Sequence, residues 1–85
     1  MKAVTELFTL RLEVVDKPGV LVRVALVFSR RGRNVSTLLV SPSLTPGFSS
    51  ILVSFHGMED SIPGIKAQLE KLVDVIEVET SSGGR

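Results

Sequence analysis

At 85 residues the chain is one domain, near the lower size limit for a single hydrophobic core. Its net charge of +1 gives no general attraction for nucleic acid or an anionic membrane, and the absence of cysteine excludes disulfides, thiolate metal sites and a thiol nucleophile. With 44% apolar residues and four aromatics, all Phe, the core must be aliphatic, and part of this apolar surface is expected to bury against a partner.

Met1-Lys2-Ala3-Val4-Thr5-Glu6 has no long apolar run after its lysine, so no signal peptide is expected. No apolar run approaches the ~20 residues that span a bilayer, and a cytoplasmic protein is the expectation. Glu6 to Val15 alternates, with Phe8, Leu10, Leu12 and Val14 on one side and Thr9, Arg11 and Glu13 on the other, which predicts a half-buried strand. Asp16-Lys17-Pro18-Gly19 is a tight turn. Pro18 suits a first helical turn, and Asp16 stands where a carboxylate can accept the free amides of a helix start. Val20 to Phe28 is apolar except at Arg23, with Leu21, Val24, Ala25 and Phe28 as the expected core stripe. Val22 and Leu26 lie well away from that stripe, as scattered surface apolars or as contacts for a partner. Gly32, after Arg30-Arg31, is a helix stop. Gly19 and Asn34 therefore sit at opposite ends of one helix of roughly 13 residues, about 20 Å long, too far apart to meet one small ligand within one subunit.

Asn34 to Ser41 is the expected second strand, and Phe48 to His56 the third, across a connection with Pro42, Pro46 and Gly47. Asp60 or Ser61 can cap a second helix, which tolerates Pro63 only in its first turn and carries Ile62, Ile65, Leu69 and Leu72. Val73, Val75, Ile76 and Val78 make the last strand, leaving residues 1–80 as one domain and 81–85 as a flexible tail. The order strand–helix–strand–strand–helix–strand predicts an α+β, ferredoxin-like βαββαβ domain: a four-stranded antiparallel sheet with both helices on one face. The other face must be polar or covered, and Leu7, Leu38, Val40 and Leu52 near it favour covering by another chain.

Enzyme motifs are scarce. His56 is the lone histidine, Glu59-Asp60 is explained by capping, and neither a phosphate loop nor metal-ligand spacing is present. An acylphosphatase-like enzyme would want a phosphate-cradling loop with an arginine where Asp16 stands. Arg23, Arg30, Arg31 and Arg33 raise RNA binding, but the chain lacks the aromatic pattern that stacks bases on such a sheet. The two turns remain. Gly19 allows close approach to helix-start amides, Asp16 can hold an ammonium, and Asn34 both donates and accepts, which together suit a free amino acid. The same three residues are also common caps and turn formers, and spacing alone leaves both readings open.

Asp16-Lys17-Pro18-Gly19-Val20-Leu21, followed by Val24, Phe28, Gly32, Asn34 and Val35, resembles the ACT domain, a small regulatory amino-acid-binding module. Phe28 to Val35, the Val40-Ser41-Pro42 strand end and Gln68 to Val78 resemble more narrowly the small regulatory subunits of acetolactate synthase (acetohydroxyacid synthase). The resemblance implies side-by-side pairing of two ACT domains, with an effector, usually valine, between them. It implies Asp16, Gly19, Val20 and Asn34 as effector contacts, the first turn of one subunit facing the asparagine of the other. It implies no cofactor in this chain; thiamine diphosphate, FAD and magnesium belong to a separate catalytic subunit, which the regulatory chain binds and activates in branched-chain amino-acid biosynthesis. The alternative is a stand-alone ACT-type sensor with another partner. The sequence departs from the family at Arg33, where an aromatic is common, at Ser36 (often an acid), at Ser50 (often an arginine) and in the non-acidic loop 43–47. Longer members carry a second, C-terminal domain beyond the length of this sequence.

Overall fold

The computed structural model describes residues 6–83, so expectations for residues 1–5 and 84–85 fall outside it. β1 spans Glu6–Val15, α1 Val20–Arg30, β2 Val35–Pro42, β3 Phe48–Gly57, α2 Ile62–Glu70 and β4 Val75–Gly83, with a 3-10 turn at Glu59–Ser61 leading into α2. The strands form one antiparallel sheet in the order β2-β3-β1-β4, the expected ferredoxin-like arrangement.

Alternation builds the core. Phe8, Leu10, Leu12 and Val14 are buried, and Phe55, Val53 and Ile51 stand opposite the first three of them in register. Directly opposed residues of antiparallel strands share a face. That apolar face packs with Val20, Val24, Val27 and Phe28 of α1 and Ile65 and Leu69 of α2. The Phe55 ring centre lies 5.0 Å from that of Phe28 and 6.2 Å from that of Phe8. The stripe on α1 is thus rotated from the expected one: Leu21 is 40% exposed, and Val20 and Val27 are buried in its place. With nearly every position of α1 apolar, several stripes satisfy helical spacing, and only the sheet beneath selects one.

The helix ends also differ in part from expectation. Pro18 precedes α1 rather than entering it, and Gly19 holds the N-cap position at φ 88° with no side chain capping the first turn. Asp16 therefore does not cap; it lies too far upstream of Gly19, from which a cap must reach. At the other end Gly32 adopts φ 72°, and the Gly32 and Arg33 amides donate to Ser29 and Phe28 carbonyls, the glycine stop expected there. Ser61 precedes α2, but its hydroxyl donates to the Met58 carbonyl instead of capping, and no side chain of Asp60 caps either. Leu72 and Val73 belong to the turn after α2, where Val73 is 89% exposed. The backbone of β4 continues past the expected domain end at residue 80 to Gly83, which pairs with Phe8.

Register corrects the open face. Leu38 and Val40 pair with Val53 and Ile51, so they lie on the helix side; Leu39, opposite Leu52, faces the open side instead. That side is largely polar: Thr9 bonds Ser54 at 2.9 Å, Arg11 pairs with Glu79 at 3.5 Å, and Ser43 donates to Glu13 at 2.5 Å. Leu7 and Leu52 do lie on that side as expected, Leu7 47% exposed, while a further run of uncovered apolar surface follows the β2 edge, where Leu38, Leu39 and Val40 are 38%, 61% and 46% exposed. The two sheet edges are not alike. β4 carries two register shifts and the charges Glu77 and Glu79, which blunt an edge against pairing. β2 is shifted only near its start and runs regularly from Thr37 to Pro42. Among the described residues no helix is long and apolar enough to cross a membrane.

Candidate functional site

The β1–α1 turn is held from both sides. The Asp16 amide donates to the Gly47 carbonyl at 3.0 Å, tying the turn to the β2–β3 loop. The Val15 amide donates to the Asp74 carbonyl at 2.8 Å, tying it to the α2–β4 turn. Asp74 is buried, and its carboxylate receives the Lys17 ammonium at 3.3 Å and the Arg23 guanidinium. Burial pushes the Asp74 carboxyl up, but hydrogen bonds from Lys17 and Arg23, with their positive charge, outweigh it and hold the group below its ordinary range. Gly19 is required twice over. Its left-handed φ disfavours a side chain, and an added Cβ would stand 3.3 Å from the Arg23 guanidinium.

Between this turn and the sheet lies a crevice of about 70 Å³, lined by Asp16, Lys17, Val20, Leu21, Val40 and Ser49 among others. Asp16, Val40 and Ser49 also border a neighbouring hollow of about 330 Å³ along the β2–β3 loop. The crevice is far smaller than the ~300 Å³ at which ligand pockets begin. Its β2 wall, Val40, stands at the unpaired edge of the sheet. The Asp16 carboxylate is exposed and makes no hydrogen bond or ion pair among the described residues. The first-turn amides of α1 lack a side-chain cap, which leaves donors available to an anion.

Of the four residues singled out from the sequence, Asp16 and Val20 share this crevice. Gly19 shapes the turn beside it but is not part of its lining, and Asn34 is not part of it either. Asn34 is exposed beyond the far end of α1, whose 11 residues span about 16 Å. Val22 and Leu26 are 62% and 40% exposed and point away from the core, one turn apart. Asp74 and Ser49 were not singled out from the sequence, and Val40 was singled out only as an apolar residue near the open face. A lone acid in an apolar stretch has no signature of its own; only the fold sets Asp74 beneath Lys17 and Arg23.

The His56 Nδ1 meets the Ser36 hydroxyl at 3.2 Å, with no carboxylate or other partner among the described residues. Phe8 and Phe55 are buried under the helices, so they offer no platform for bases. Among the described residues no three His, Cys, Asp or Glu side chains gather as metal ligands. A larger hollow of about 610 Å³, between Glu6, Phe8, Glu59 and Lys66, contains none of Asp16, Gly19, Val20 and Asn34.

A ferredoxin-like domain with the sheet order β2-β3-β1-β4 and two helices on one face is the architecture of an ACT domain. The chain belongs to the AHAS small subunit-like ACT domain family, whose model matches residues 10–77. It is 45% identical over 65 residues to a probable acetolactate synthase small subunit of Methanothermobacter thermautotrophicus, covering 76% of this chain and 39% of that protein. It is 41% identical over 63 residues to the acetolactate synthase small subunit of Buchnera aphidicola, covering 74% of this chain and 40% of that protein. The crystal structure of the acetolactate synthase small subunit from Thermotoga maritima superposes with a TM-score of 0.82 at 37% identity, over 88% of this chain and 47% of that one. The chain thus spans less than half the length of these relatives.

Proposed function

We propose that this chain is a regulatory domain of acetolactate synthase. Two copies pair along β2, a free amino acid binds between them, and the pair binds and activates a separate catalytic subunit, with valine as feedback inhibitor. The observation that carries this reading is the incomplete crevice at Asp16, Val20 and Val40, beside the one sheet edge left regular and unpaired. Antiparallel pairing of β2 with a second β2 is two-fold symmetric and sets the Val35 end of one strand against the Pro42 end of the other. Asn34, just before Val35, is then carried toward the second copy's crevice, which closes the gap left by the length of α1.

The ligand chemistry follows from the same walls. Asp16 receives an ammonium, and the uncapped amides of α1 receive a carboxylate. Val20, Leu21 and Val40 offer an apolar surface of a size that suits a short aliphatic side chain. Val22 and Leu26, on the outer face of α1, are the contact for the catalytic chain. The family match and the small-subunit relatives support the partner. Titration calorimetry against the twenty amino acids, followed by reconstitution with the catalytic subunit, tests the proposal. Saturable binding of valine at one per chain is expected, together with a catalytic rate that rises on adding this chain and falls on adding valine. No heat with any amino acid, or a catalytic rate indifferent to the chain, would overturn it.

A further inference from the structure

Lys17 lines the crevice beside Asp16, yet its ammonium is turned to Asp74, 3.3 Å away. The Asp74 side chain is only 8% exposed, while those of Lys17 and Arg23 are 54% and 43% exposed, so one buried carboxylate anchors two partly solvated cations. Arg23 is hemmed in from the other side as well, since its guanidinium stands 3.3 Å from where a Cβ on Gly19 would lie. Lys17 is different: a compact charge on a flexible stem, next in sequence to a carboxylate with no partner among the described residues. From these facts we infer that Asp74 is a specificity-determining positioning residue, which keeps Lys17 from neutralising Asp16 and so keeps the crevice selective for ligands that carry an ammonium group. The inference rests on the amino-acid reading of that crevice.

Without Asp74, the nearest anion on the crevice wall for the Lys17 ammonium is Asp16. A pair formed there would cancel the negative charge that a ligand ammonium needs. Binding of an amino acid would then weaken, while binding of the same carbon skeleton without the amino group would not. A merely structural Asp74 would behave otherwise, because a loosened turn weakens both ligands alike.

The test uses the intact protein, with L-valine and 3-methylbutanoate as probes in titration calorimetry. Asp74→Asn is expected to weaken valine about tenfold or more, the worth of one hydrogen bond to charge, and to leave 3-methylbutanoate unchanged or tighter. Adding Lys17→Met to Asp74→Asn is expected to restore valine binding. Asp74→Glu, which keeps the carboxylate beneath Lys17, is expected to keep the wild-type preference for valine over 3-methylbutanoate, and this conservative variant holds the inference to account even where Asp74→Asn fails to fold. Equal weakening of both probes without restoration by Lys17→Met overturns the inference, as does a loss of the preference for valine in a folded Asp74→Glu. Wild type that binds valine while every variant matches it overturns the inference and leaves the amino-acid reading standing. Wild type that binds no valine overturns both.

Discussion

Replacing Gly19 by alanine tests the β1–α1 turn at its tightest point. The residue sits at φ 88°, where an L side chain costs about 1–2 kcal/mol relative to glycine. The new Cβ would stand 3.3 Å from the Arg23 guanidinium, which must give way while bound to Asp74. Gly47 supplies an internal control: its φ is 87°, but nothing lies within 4 Å of its added Cβ. Gly47→Ala should therefore show the backbone cost alone, and Gly19→Ala that cost plus the displaced contact. For a domain of this size each 1 kcal/mol lowers the melting midpoint by about 4–8 °C, so Gly19→Ala should fall by at least that much and further than Gly47→Ala. Circular dichroism melts at one fixed protein concentration read this directly. In an Arg23→Ala background the excess of Gly19→Ala over Gly47→Ala should vanish. A Gly19→Ala midpoint within a degree or two of wild type would refute the reasoning.

Asp74 makes stability depend on acid. Its folded-state carboxyl is held below the ordinary value, so the unfolded chain binds its proton first as pH falls. The stabilisation is fully present above the unfolded value of about 3.9 and is lost as pH drops through the folded one. Asp74→Asn should flatten that acid limb in melts taken from pH 7 downward, and an unchanged limb would contradict the assignment. Asn34→Ala should lose valine inhibition by about 10- to 150-fold in effective concentration while retaining activation of the catalytic subunit, because a charged ligand group loses a hydrogen bond. Asp at Val22 and Leu26 should do the reverse, keeping valine binding by calorimetry and losing activation in the reconstituted pair.

Much of the fold was legible because period and punctuation agree. The alternation of β1, the glycine stop at Gly32 and the turn residues between β2 and β3 each have a local cause, and all stand where the pattern puts them. What was not legible depended on register or on depth. An apolar run such as Val20–Phe28 does not say which of its stripes meets the sheet, so Leu21 was expected inside and lies outside. Leu38 and Val40 changed faces because a strand's side is set by its partner, here Val53 and Ile51. The turn residues Asp16 and Gly19 stand out by type, but their division of labour does not: Gly19 alone forms the cap, which leaves Asp16 free at the crevice. Asp74 could not be read at all, since its importance comes from burial beneath two cations that are distant from it in sequence.

The central claim is that each effector site is shared between two copies, and mixing two defective chains tests it most directly. Asp16→Ala and Asn34→Ala chains are each prepared alone, then unfolded, mixed and refolded together, and valine binding is titrated in all three samples. If Asp16 of one copy and Asn34 of the other meet at one ligand, a mixed pair carries one site with both changes and one with neither. Each variant alone should bind weakly, and the mixture should regain a wild-type affinity class at up to about one site per mixed pair. A mixture that binds no better than its parents, although mass measurement shows mixed pairs have formed, would contradict the shared site.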